Sequence, residues 1–555
     1  MLLVVSIDGA TPELVERLTS TGQMPALRSL MRHGVYGRLQ SAANTDPICA
    51  WSSVLTGVNP GKHGVWALHN LVPKSYQWRA ANSRMLRVPS LSQLLADRGR
   101  SVGTFFVPMT YPAPEAEWVT VSGWLAPSSD DEAFAYPRRV RDLVRRSLKE
   151  SPLHVDARHH AAAGSYEDGV EEAVAALRAK ASVAEKLLDD GRWDVFAISF
   201  SELGRILRWY WHLFDRNHLD FRDDLHAAHG KLLTVIHREI DAVIGRLLDL
   251  LGPDDQVLVI SPYGTSLNSR VASCLPELMA YLGLLRTRSS ARGWWHSVAT
   301  GVSRGAHDFL SVIREVLPEG IAEMLPESED DDDRRGNSED AWLDYERSSV
   351  IPAPGGQMHL NLMSEFPLGC VDPGQVDRLK LQVIGALQTA IDPATGRRPL
   401  EWAQPRERVC SGPYVDRIPH IVTRWRSPHV VTGLTATGLD GRVRVARPSG
   451  GHFPSGTPGA EGIIVAAGAG IRRGARIEGA RVEDITATIM YLAGEGVPGY
   501  LDGRVLEQAV TQRWRADHPI RIFDRSLPRV VEDHARIEEA SRAVEACIGG
   551  PGEEP

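Results

Sequence analysis

Short apolar runs bounded by polar turns recur along the chain and alternate with longer stretches in which apolar residues return every three or four positions. LLVVSID at the N-terminus, SVGTFFV, WDVFAISF, QVLVISP and GIIVAAG have the first pattern, which suits strands buried on both faces. PELVERL, MPALRSLMRHG and ICAWSSVLTG have the second and predict helices; in the last, Ala50, Val54 and Leu55 share helical spacing. From about Leu225 to Leu251 the apolar positions predict one long helix that stops at Gly252-Pro253 and covers the strand QVLVIS. Strands alternating with amphipathic helices imply an α/β chain built of βα units around a mainly parallel sheet.

This regular pattern is interrupted. A core region over 1–284 carries an insertion at about 110–185, and an irregular segment over 285–345 contains the acidic run ESEDDDDRRGNSED, read as a solvated surface loop. The core resumes over 346–511. A tail over 512–555 predicts one helix, VVEDHARIEEASRAVEACI, packed on the body or used between subunits of a homo-oligomer. The 555 residues are 43% hydrophobic and 24% charged, enough for a large core, and the formal net charge of -8 argues against nucleic acid or an anionic membrane surface as partner. Five cysteines, Cys49, Cys274, Cys370, Cys410 and Cys547, form no CxxC pair. They read as free thiols in a reducing, cytoplasmic setting. The opening MLLVVSIDGA lacks a basic leader, and no stretch approaches the ~20 apolar residues of a membrane span.

Several segments, taken in order, carry a family resemblance. They are VVSIDGATPEL, AWSSVLTGVNPGKHGVW at 50–66, FFVPMTYPAP with VSGW to 124, and HREIDAVIGRLLDLL before QVLVIS. GGQMHLNL at 355–362, SGPYVDRIPHIV at 411–422, and EGIIVAAGAGIRRGARIEGARVEDITATIMYLAG with LDGRVL to 506 continue the series. The chain resembles the type I phosphodiesterase/nucleotide pyrophosphatase family of the alkaline phosphatase superfamily. The resemblance implies a doubly wound α/β sheet with inserted cap segments, and two metal ions, usually zinc, at the carboxyl ends of the strands. It also implies a Thr or Ser nucleophile at a helix N-terminus, activated by those ions.

Few of the implied site residues are present. Asp8 in SIDG stands at the first ligand position. Counting back ten residues from Gly57 puts the nucleophile position at Pro47; a slip of one or two residues offers Asp46 or Thr45, and Cys49 is nearby. In SELGRILRWYWH the register of Arg205 and Trp209-Tyr210-Trp211 places the next Asp and His positions at Gly204 and Arg208. Glu202 and His212 stand close, and read as a solvated carboxylate and a helix-surface imidazole. The Asp-His pair after VLVIS is replaced by Pro262 and Tyr263, and the last His position falls at Pro458, with His452 six residues earlier. The reading is therefore one kept ligand position, Asp8, which alone holds no divalent ion, so no metal cofactor is expected.

Arg208 is expected to occupy the vacated metal position and neutralise Asp8, either as a plug or, with Arg205, as a metal-free site for a phosphate or carboxylate. Tyr263 reads as a space filler or as a general acid; Lys62 and His63 read as structural. The expected function is that of a non-hydrolytic pseudoenzyme acting by binding, with Asp8, Arg205, Arg208, Tyr263 and His452 as candidate ligand contacts to a small phosphorylated or anionic ligand or a protein partner. The alternative is a phosphohydrolase, phosphodiesterase or transferase with a rebuilt, possibly metal-independent site using Asp8, Thr45 or Asp46, Arg208 and His452.

Overall fold

The computed structural model describes residues 1–148, 153, 155–287, 343–426, 430–437, 443–447, 454–524, 526–528 and 532–548. The acidic run and His452 lie outside them. Among the described residues nine strands form the central sheet: β1 Leu2–Ile7, β2 Val35–Gln40, β3 Val102–Val107, β4 Val119–Ser122, β5 Ala135–Tyr136, β6 Val195–Phe200, β7 Gln256–Ile260, β8 Glu461–Gly468 and β9 Ala475–Arg481. Their spatial order is β9-β2-β8-β7-β1-β6-β3-β4-β5. β1 is fully buried and pairs in parallel with β6 and β7, so its apolar run LLVVSI is the middle of a sheet covered on both faces. The expected strand GIIVAAG forms β8, which runs antiparallel to both β7 and β2.

The helices that position the site are α1 Pro47–Thr56, α2 Tyr166–Asp190, α3 Glu202–Tyr210, α4 Leu232–Leu248 and, at the C-terminus, α5 His534–Ile548. The single helix expected from about Leu225 to Leu251 is two, Asp223–His229 and α4, and the break falls at Gly230, a residue poorly suited to a helix interior. α5 packs on the body through Ile537, Ala540, Ser541 and Val544. A second hydrophobic core, containing Leu275, Met358, Leu360, Val383 and Ile421, lies behind a four-stranded antiparallel sheet of Val350–Ala353, Gln357–Leu360, Ile421–Trp425 and Leu400–Pro405.

Strand register brings three chain ends to one place. Ser6 stands beside Ser199 and Ile260, so Asp8 emerges next to Ser201 and Ser261 at the carboxyl ends of the parallel strands. Its backbone N–H donates to Phe200 O (2.9 Å). The chain then turns at Gly9, whose φ of +79° and whose contact with α3 both require glycine: a Cβ there would stand 2.7 Å from Gly204 Cα. Gly9→Ala should lower unfolding stability by about 2 kcal/mol or more in a denaturant titration; a change within ~0.5 kcal/mol, the usual range for a neutral surface substitution, would contradict this close packing.

Candidate active site at the carboxyl ends of the central strands

Asp8 is completely buried, and its carboxylate is surrounded by donors. Trp51 Nε1 donates to both oxygens (3.2 and 3.3 Å) and Ser6 Oγ to Oδ1 (3.3 Å), and the Tyr263 side chain adds a further hydrogen bond. Burial raises the Asp8 pKa to about 7; the bonds from Trp51, Tyr263 and Ser6 oppose the rise, and the nearby charge of Glu202 adds to it. Trp51 lies four residues after Pro47 on α1, one helical turn on, which aims its indole at the end of β1. A metal ligand turns its lone pairs to the ion, whereas here one N–H and two O–H donors converge on the carboxylate.

Tyr263 follows β7 and is 6% exposed. Ser261 Oγ accepts from Ala10 N (3.1 Å) and donates to Tyr263 O (2.6 Å), tying the Pro262-Tyr263 turn to the residues after Asp8. Burial first, then the Asp8 charge, pushes the phenol well above its usual range, so it stays protonated and donates. Pro458 lies in a short strand, Gly456–Gly459, antiparallel to Gly264–Leu267, opposite Thr265, whose hydroxyl donates to Gly9 O (3.1 Å). The positions read from the sequence as Asp8, Pro262, Tyr263 and Pro458 therefore share one loop cluster.

α3 closes the next side. A Cβ on Gly204 would stand 3.2 Å from Asp8 O, tighter than ordinary contact, so the second ligand position is also where α3 backbone meets β1. Arg205 donates to Val155 O (3.3 Å) and stacks over Trp124 (5.6 Å). Glu202 is not the solvated carboxylate expected: it is 1% exposed and forms a buried ion pair with Lys180 of α2 (2.6 Å), whose ammonium lies over Phe106 (5.3 Å). His212 instead meets Tyr166 OH (3.2 Å).

The expected Asp8–Arg208 ion pair does not form, because Trp51 and Tyr263 already hold the carboxylate. Among the described residues Arg208 has neither a hydrogen bond nor an ion pair; burial lowers its pKa and the charge of Asp46 opposes this.

At the N-terminus of α1 the three candidate nucleophiles have other surroundings. Asp46 caps the helix, accepting from Ile48 N (2.8 Å), and burial raises its pKa against that bond. Cys49 is fully buried, and burial pushes its thiol well above the usual range. Thr45 has no side-chain hydrogen bond to a base among the described residues, and Pro47 sits at the first helical position. His63 is structural: Nδ1 accepts from Val65 N (3.2 Å), Nε2 meets Ser53 Oγ (3.1 Å), and burial lowers its pKa to about 3. Lys62 pairs with Asp502 (2.5 Å). Trp51 and Lys180 were missed as site residues; Trp51 was legible as the residue one turn into the helix after the nucleophile position.

A sequence model described as type I phosphodiesterase/nucleotide pyrophosphatase matches residues 2–334. The chain belongs to that family. Pro458 and His452 lie beyond the matched residues. Among solved structures, phosphonoacetate hydrolase from Sinorhizobium meliloti 1021 in complex with phosphonoformate is similar, at 14% identity over 88% of this chain and 95% of that one, TM-score 0.49. Murine ectonucleotide pyrophosphatase/phosphodiesterase 5 is similar at 12% identity over 89% and 95%, TM-score 0.46. No curated protein matches. The architecture is α/β, a mixed and mainly parallel sheet flanked by helices. Among the described residues no three His, Cys, Asp or Glu side chains are grouped to hold a metal ion, and no helix is long and apolar enough to cross a membrane. The side chains around Asp8, an indole, a phenol and a hydroxyl acting as donors, do not fit the family's zinc pair.

The Asp8 environment sets a pH dependence. Its folded pKa of about 7 exceeds the unfolded value of 3.8, so the unfolded state ionises first and stability falls as pH rises from about 4 to about 7. Asp8→Asn should therefore stabilise the protein at pH 8, by at most about 4 kcal/mol, and have no such benefit at pH 4; equal effects at both pH values, read from urea midpoints, would contradict this. Lys180→Ala should cost about 3–5 kcal/mol by leaving Glu202 buried and unpaired. A loss below ~1 kcal/mol in the same titration, the value of an exposed pair, would show that the pair is not buried.

Proposed function

We propose that this family member does not hydrolyse phosphate esters and works by binding a small anion, phosphorylated or carboxylated, at Arg208 and Arg205. The observation that carries this reading is Arg208, a partly buried side chain without a hydrogen bond or ion pair among the described residues, which feels the charge of Asp46, a carboxylate already engaged as the cap of α1. Its planar fork suits two oxygens of a phosphate or carboxylate, and Arg205 adds a second positive charge one turn away. Tyr263 and Asp8 would wall the site. Hydrolysis through a rebuilt, metal-independent site lacks comparable support, since Asp46 serves as a helix cap, Cys49 is held as a thiol and Thr45 has no base.

The test is titration calorimetry with inorganic phosphate at low salt, beside a turnover assay with bis-p-nitrophenyl phosphate and added zinc. Arg208→Ala should weaken phosphate binding about tenfold to a hundredfold, the worth of one charge-assisted contact, with turnover at the blank rate in both proteins. Unchanged phosphate affinity would remove Arg208 from the site, and turnover abolished by Asp8→Asn would refute the non-hydrolytic reading.

A further inference from the structure

The C-terminal helix α5 runs from the side chains of Arg87 and Arg417 past Ala80 and Asn82 to Ala126, on the Arg205 side of the candidate site. At its root Glu532 pairs with Arg87 (3.2 Å) and Arg417. Arg87 is 1% exposed and has no other side-chain ion pair among the described residues, so this root contact neutralises a buried cation. Along its length the helix is tied largely by polar groups. Ser541 Oγ donates to Ala80 O (2.8 Å) and accepts from Asn82 Nδ2 (2.9 Å), Glu545 accepts from Ala80 N (3.1 Å), and Arg84 donates to Arg536 O (2.9 Å). Only Ile537, Ala540, Ser541 and Val544 are buried. At the tip Cys547 Sγ donates to Ala126 O (3.5 Å), two residues from the Trp124 ring on which Arg205 stacks, and it is close enough to feel the Arg205 charge.

We infer that α5 is a detachable strap, latched by Glu532, which covers the Arg205 side of the candidate site and uncovers Arg205 when it lifts. A helix with a small apolar face and many exchangeable polar ties belongs to the part of a fold that opens at low cost, while the sheet behind it stays closed. What the strap guards rests on the proposed anion site; whether it lifts does not.

The experiment follows two chemical labels in the full chain by mass spectrometry, iodoacetamide at Cys547 and phenylglyoxal at Arg205, and needs no ligand. In Glu532→Gln both residues should label at least about tenfold faster than in the natural protein, the rise expected in the open fraction from losing one charge-assisted contact, while the fully buried Cys49 stays unlabelled. If Cys49 also reacts, the variant has unfolded, and Arg417→Gln, which leaves Arg87 paired, decides by the same comparison. Unchanged Cys547 labelling overturns the latch, and faster Cys547 with unchanged Arg205 overturns the cover. Failure of the anion reading would show separately, as absent phosphate binding in the natural protein.

Discussion

A carboxylate taken out of water needs either a cation or several hydrogen-bond donors, and the surroundings of Asp8 supply donors. The Trp51 indole, the Ser6 hydroxyl and the Tyr263 phenol converge on it at the dry end of β1. This one arrangement constrains the rest of the site. It fixes the face of α1 that meets the sheet, it requires the turn after β7 to be held by Ser261, and it leaves Arg208 without the partner that charge alone would assign it. The close approach of Gly9 and Gly204 belongs to the same closure, since α3 backbone rests where a ligand side chain would otherwise project.

A second layer of charge surrounds the first. The Lys180–Glu202 pair is sealed beneath α3, and the field of Glu202 reaches Asp8 and helps raise its pKa. Burial acts the same way on Cys49, Asp46 and Tyr263, favouring the uncharged form of each. A family whose chemistry uses ionised ligands and an activated hydroxyl is represented here by a pocket that favours protonated groups. Function, on this reading, is a property of the side chains at the strand ends and not of the fold they stand on.

Much of the fold was legible because β1, β3, β6 and β7 are continuous apolar runs with helices between them. The reversed direction of β8 was not, since an apolar run has no direction until it is paired. Gly230 divided a helix that apolar periodicity alone read as continuous. In the site, motif spacing, which tracks backbone, singled out Asp8, Gly204, Pro262, Tyr263 and Pro458, and the strand register brings those segments close together. The partners were not: Trp51 on Asp8, Lys180 on Glu202 and Arg208 beside Asp46 are contacts between segments far apart in the chain, settled by packing.

Asp8 is held by hydrogen-bond donors and not by a metal. Zinc content after purification and exhaustive dialysis against dilute zinc measures this without any assay of activity. No stoichiometric zinc is expected, and no dependence of the residual amount on Asp8. One or two zinc ions per chain, lost in Asp8→Asn, would contradict it.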